Sequence, residues 1–190
     1  LSGRIMPESA IPFKAKLKDL ADNDHNMVDL IDRTSVKNFS ITPEVKFSLG
    51  KGYGEGAYVS LYYRYSNFDL KGVPINFDAD GGGEKTLDIA GTFQSHTGGF
   101  LFGWQKNIGS VVVLDLWILG PNIGVGKGTF DGIASPAMTV NEQQNLKDAL
   151  DDLTIPFVRK TVVVTPNKGS LSIKGPWAGL RSGISLGFRF

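Results

Sequence analysis

Between Asn38 and Leu49 the chain reads NFSITPEVKFSL, and its side chains alternate without a break. Phe39, Ile41, Pro43, Val45, Phe47 and Leu49 fall on one face. Ser40, Thr42, Glu44, Lys46 and Ser48 fall on the other. Such a period of two is the signature of a β-strand whose faces meet different surroundings. After KGYGEG (51–56) the pattern resumes in AYVSLYYRYSNFDL. Ala57, Val59, Leu61, Tyr63 and Tyr65 share one face, and Tyr58, Ser60, Tyr62, Arg64 and Ser66 the other. Two such runs around a short turn predict a hairpin. The final residues, GISLGFRF, repeat the theme. Ile184, Leu186, Phe188 and Phe190 oppose Gly183, Ser185, Gly187 and Arg189.

Composition narrows the class. Formal net charge is +1 over 190 residues, which gives no broad electrostatic case for nucleic acid. There is no cysteine, so disulfide frameworks and thiolate-bound metals are excluded. Twenty-four glycines and twelve phenylalanines favour an all-β chain with tight turns. The most apolar stretch, SVVVLDLWILG (110–120), is too short for a spanning helix and contains Asp115. A spanning strand needs only about 9–11 residues.

Along the rest of the chain, strands are expected at roughly 1–7, 38–50, 57–70, 85–106, 110–130 and 178–190, with GVPINFDADGGG (72–83) as a loop. TVVVTPNKGSLSIK is a local hairpin signal, and NIGS (107–110) is a short turn. In the strand after residue 84 the apolar positions change parity, from Leu87, Ile89 and Phe93 to Phe100, Phe102 and Trp104. A one-residue slip exchanges faces, so a β-bulge is expected near Gly98–Gly99. Gly120–Pro121 is expected to bend the next strand. Two long connections carry helical patterns, 12–34 and 136–156. Leu17, Leu20, Met27 and Ile31 form one stripe. Leu146, Leu150 and Leu153 form another, behind a Thr139–Glu142 capping box.

A soluble barrel would also alternate, with an outward face rich in Lys and Glu. Here the polar face is sparse: Arg4, Glu44, Lys46, Arg64, Asp115, Arg181 and Arg189 among Ser, Thr and Gly. That suits a narrow, charge-paired lumen, with the Phe, Leu, Ile, Val and Tyr face turned to lipid. In hydrocarbon every backbone group needs a partner, so the sheet must close. About six membrane-length strands are legible, against eight in the smallest outer-membrane barrels. The expectation is therefore a single up-and-down transmembrane barrel over 1–190, with an N-terminal hairpin of two strands not included. Helical loops lie outside, and short turns lie in the periplasm.

The last residues resemble the C-terminal insertion signal of bacterial outer-membrane barrels. Phe188 and Phe190 supply the alternating aromatics behind Leu186; Ser185 stands where that signal usually has Gly, and Gly183 where it has a polar residue. RIMPESAIPF, NFSITPEVKFSLGKG, VVVLDLWILGPNIGVGKG and GPWAGLRSGISLGFRF are similar to small eight-stranded barrels of the Bacteroidetes type, a largely uncharacterised family. The resemblance spans nearly the whole chain. It implies a Gram-negative outer membrane and contact with lipid and lipopolysaccharide. It also implies insertion by the barrel-assembly machinery, and it carries over no catalytic residues.

Other chemistries fit less well. GVGKGTF (124–130) lacks the Ser or Thr directly after Lys127 that a phosphate loop requires, and its context is strand. DNDHNMVDLIDR (22–33) puts Met27 where an EF-hand needs Gly and Arg33 where it needs Glu. DADGGGE (78–84) reads as a solvated acidic loop. His96 follows Ser95, but neighbours in a strand point to opposite faces, so the pair is not a nucleophile and its base. No cofactor, metal or enzymatic activity is expected. The expected role is structural or accessory, packing beside a larger outer-membrane complex or presenting binding loops, with both leucine stripes as partner-facing candidates. A narrow pore is the alternative, and a lipid- or peptide-modifying enzyme a remote one.

Overall fold

The computed structural model describes residues 2–10, 31–50, 55–153 and 157–188, residues 2–10 by their backbone. The strands are β1 (Ser2–Ala10), β2 (Ser35–Thr42), β3 (Glu44–Ser48), β4 (Gly56–Asp78), β5 (Glu84–Ile108), β6 (Val112–Ile133), β7 (Arg159–Thr165) and β8 (Lys168–Phe188). One helix, α1 (Val140–Asp152), lies between β6 and β7, and residues 31–33 are helical.

All pairings are antiparallel, in the order β1-β2-β4-β5-β6-β8-β7, with β3 beside the lower half of β4. Among the described residues the sheet is not closed: β1 ends it on one side, and β7 with the lower half of β8 on the other. It is rolled, because side chains of non-neighbouring strands meet on one face. Glu44 of β3 reaches Arg181 of β8, and Phe68 of β4 lies 6.4 Å from Trp177 of β8.

Several sequence expectations change in detail. Residues 72–78 are strand rather than loop. β4 continues through Pro74 after an irregularity between Leu70 and Val73, where Gly72 adopts φ 68°. The turn proper is 79–83. The stretch 38–50 is two strands parted at Pro43, which cannot donate to a ladder. The closing strand begins at Lys168, continuous with the β7–β8 hairpin. The bend expected at Gly120–Pro121 is a register shift between Trp117 and Gly120.

The bulge at Gly98–Gly99 is absent from the β4–β5 ladder, whose register runs unbroken from Gly56↔Gln105 to Leu70↔Gly91. The odd residues of β5 face inward throughout, from Leu87 and Ile89 through Ser95 and Thr97 to Leu101. What changes along β5 is the identity of the buried face, which is apolar above and hydroxylic below.

All the long strands share that exchange, and the register puts it at one level. An outward row runs Ile41–Tyr65–His96–Val125–Pro176. Below it the outward face carries Leu61, Phe100, Phe102, Leu119, Ile123, Leu180, Ile184, Leu186 and Phe188, all exposed; Ile184 and Phe188 are each 72% exposed. The second outward row above it, Lys37–Asp69–Thr92–Thr129–Ser172–Thr161, is wholly polar. Inside, the order reverses. The row Arg64–Thr97–Gly124–Trp177 gives way to Ser40–Ser66–Ser95–Gly126–Gly175. Above these come Phe68–Phe93, then Val36–Leu70–Gly91–Phe130–Leu171–Val162.

The upper part therefore has the ordinary polarity of a protein in water. Its core is Ile75, Phe77, Leu87, Ile89, Phe130, Met138, Leu146, Leu150 and Leu171. Helix α1 covers this core. Thr139 caps it, accepting from the Glu142 N–H at 3.2 Å while the Glu142 carboxylate accepts from the Thr139 N–H at 3.2 Å. The capping box expected from sequence is thus formed.

Candidate functional site

Among the described residues, charge and aromatic surface are concentrated away from solvent on the lower inward face. Tyr58, Tyr62 and Leu101 form its floor, with Trp117 against them. The ring of Tyr58 lies where a side chain on Gly103 would go, 2.4 Å from an added Cβ. Asp115, on β6, accepts from the Tyr58 hydroxyl at 2.7 Å and from Gln105 at 3.2 Å, and pairs with Lys46. Lys46 also lies 4.5 Å from the centre of the Tyr58 ring.

A second group sits higher. Arg181 on β8 donates to Glu44 on β3 at 2.6 Å, and both side chains are more than nine-tenths buried. The Arg181 guanidinium covers the Trp117 ring at 4.1 Å and lies 5.3 Å from that of Tyr62. The Tyr62 hydroxyl donates to the Gly120 carbonyl at 2.8 Å and receives a bond from Asn122 at 3.1 Å. Arg64 donates to Ser66 at 3.1 Å and to Ser40 at 3.2 Å.

Above these groups a cavity of about 450 Å³ opens among Arg64, Ser66, Ser95, Thr97, Asn122 and Trp177. Its roof is aromatic. Phe93 lies 4.7 Å from Trp177 and 6.3 Å from Phe68. A Cβ on Gly126 would stand 2.3 Å from the Phe93 ring, so glycine there makes room for the roof. This accounts for part of the GVGKG glycines without a phosphate.

Five of the seven residues expected to carry lumen charge thus line the inner face: Glu44, Lys46, Arg64, Asp115 and Arg181. Arg4 lies in β1, where the backbone alone is described, and Arg189 and Phe190 fall outside the described residues, as do Leu17, Leu20 and Met27. Leu186 and Phe188 are outward and exposed. Ile31 is buried. Leu146 and Leu150 have no exposed surface, so they cover the chain's own core and present nothing to a partner; Leu153 is 39% exposed.

Asp80 of the acidic loop is tied to α1, accepting from the Thr139 hydroxyl and donating its backbone N–H to Glu142 at 3.2 Å. Ser95 and His96 do face opposite ways. His96 is outward, 2.5 Å from the Tyr63 hydroxyl through Nδ1. Sequence reasoning missed Tyr58, Gln105 and Trp117 as members of the inner network. Alternation placed Tyr58 on the polar face, but its bond to Asp115 across strands follows from register alone.

Comparison with protein-family models, with curated proteins and with solved structures returns no match.

Proposed function

We propose that this chain is an integral β-barrel of a bacterial outer membrane with a structural or accessory role. The observation that carries the reading is the exchange of polarity at one level on both faces at once. A partner docked on the outside would account for an apolar outer surface, but not for the simultaneous change of the inner one from hydrocarbon to Ser, Thr and charge. Passage of a rolled sheet from water into hydrocarbon accounts for both. The apolar stretches below the row, 57–65 in β4 and 96–104 in β5, match the strand length that crosses a bilayer.

The accessory role follows from the inner face. Glu44–Arg181, Lys46–Asp115 and the Phe68–Phe93–Trp177 roof occupy the space a solute would use. With α1 folded onto the chain's own core, no free leucine stripe on that helix is left to argue for a docked partner. The remaining support for a passive or supporting barrel is the filled interior. A narrow pore is the competing reading, favoured by the cavity beside Arg64.

Folding into lipid vesicles tests the membrane reading. The inserted chain should resist urea extraction and migrate differently in SDS gels before and after boiling. A chain that stays in the aqueous phase and migrates identically overturns it. Planar bilayers then separate the two roles. Silence is expected, and steady unitary conductance would establish the pore.

A further inference from the structure

Immediately above the apolar band, the outward row Gln94–Lys127–Lys174–Arg159 places three cations on three adjacent strands. Lys127 and Lys174 are direct cross-strand partners, and so are Lys174 and Arg159. All three are exposed. Like charges directly opposite each other are destabilising, so the arrangement needs compensation. Among the described residues no carboxylate provides it. On this face of β6 the next carboxylate is Asp131, four residues further from the band, and it is held by Lys168 at 3.0 Å and Ser170 at 2.6 Å. The row above supplies hydroxyls at Thr129, Ser172 and Thr161.

On the membrane side a groove of about 240 Å³ opens between Val125 of β6, Gly175 and Pro176 of β8 and Phe157 in the turn ahead of β7, with Arg159 and Lys174 also lining it. Val125 is 58% exposed and Phe157 89%. Cations above and bare hydrocarbon directly below match the two halves of a phosphorylated amphiphile.

We propose that Lys127, Lys174 and Arg159 form a binding site for the phosphorylated headgroup of a membrane lipid, whose acyl chain lies along Val125 and Pro176. The proposal rests on the membrane reading above. A phosphate monoester carries about −1.5 to −2 charge at neutral pH, which three neighbouring cations offset. Arg159 adds a planar fork for two phosphate oxygens, and the lysines act as point charges. The apolar groove is continuous with the band, which selects a lipid over a free anion.

The test uses the full chain folded into phosphatidylcholine nanodiscs, doped with bisphosphorylated lipid A and read by native mass spectrometry after detergent release. Wild type should retain lipid A. The K127Q/R159Q/K174Q variant should retain at least tenfold less, while K106Q/K147Q, which removes exposed charge elsewhere, should behave as wild type. Equal retention by wild type and the triple variant overturns the site. So does full competition by inorganic phosphate, which would make it a free-anion site. Heat-dependent gel migration of the same samples separates the two levels: if wild type fails to insert, the membrane reading falls and the site with it. If all three chains insert and retain lipid A alike, the site alone falls.

Discussion

Glu44 and Arg181 show how much a single side chain can carry here. Both side chains are buried, and Glu44 is the carboxylate that offsets Arg181, while Lys46 stands 3.8 Å from the other Glu44 oxygen. Removing one partner of such a pair leaves an uncompensated buried charge, at a cost of about 3–5 kcal/mol. Glu44→Gln should therefore lower the urea midpoint in vesicles markedly. The double change Glu44→Gln, Arg181→Met should recover much of the loss, because the isolated charge is then gone. A double variant no better than the single one would mean that the stacking of Arg181 on Trp117 matters more than its ion pair. Gly126 is the complementary case. An added methyl would stand 2.3 Å from Phe93, so Gly126→Ala should displace the ring and open the aromatic roof. Overpacking of this kind costs about 1–3 kcal/mol. Tryptophan emission should report it, since Trp177 packs on Phe93.

Among the elements, α1 is held by charge at its start and by leucine along its length. The Lys85 ammonium, bonded to Glu142 at 2.5 Å, holds that carboxyl below the usual carboxylate range, helped by the Thr139 and Asp80 backbone N–H groups. A carboxylate lowered in the folded state adds stability above its ordinary range and loses it as pH falls through the lowered value. Acidification below the ordinary glutamate range should therefore loosen α1 first, seen as faster hydrogen exchange across 140–152. Glu142→Gln should weaken docking at neutral pH and flatten that dependence. Leu146, with no exposed surface, lies in the same core as Leu87. Leu146→Ala should cost about 2–5 kcal/mol and release the helix while leaving the lower strands in place. Limited proteolysis of vesicle-inserted protein would show it.

At the scale of the molecule, the level of the polarity exchange becomes a measurable boundary. An Arg placed on a lipid-facing strand position costs about 2–4 kcal/mol at the midplane and close to nothing at the interface. Leu61→Arg and Ile123→Arg, below the row, should be strongly destabilising in vesicles. Thr129→Arg, four residues above Val125 on β6, should be nearly neutral. An apolar surface that merely docks a protein partner would give no such dependence on depth in a pure lipid vesicle.

Local pattern was sufficient for most of the strands, because a period of two persists wherever a strand has unlike faces. The β3–β4 and β7–β8 hairpins, the capping box at Thr139 and the grouping of Glu44, Lys46, Asp115 and Arg181 on one face were all legible that way. The parity change in β5 was legible too, but it has two causes that a single strand cannot separate. A slipped register and a change of surroundings leave the same trace. Only pairing with β4 and β6 showed that the register holds and that Tyr65, His96 and Val125 share the row at which the outward polarity changes. The same limit hid the Lys127–Lys174–Arg159 row, whose members are far apart in the chain and become neighbours through antiparallel register. The amphipathic stripe of α1 showed that Leu146 and Leu150 must be covered. Tertiary packing decided that the chain covers them itself, because the upper strands outrun the apolar band and bring a hydrocarbon inner face to meet the helix.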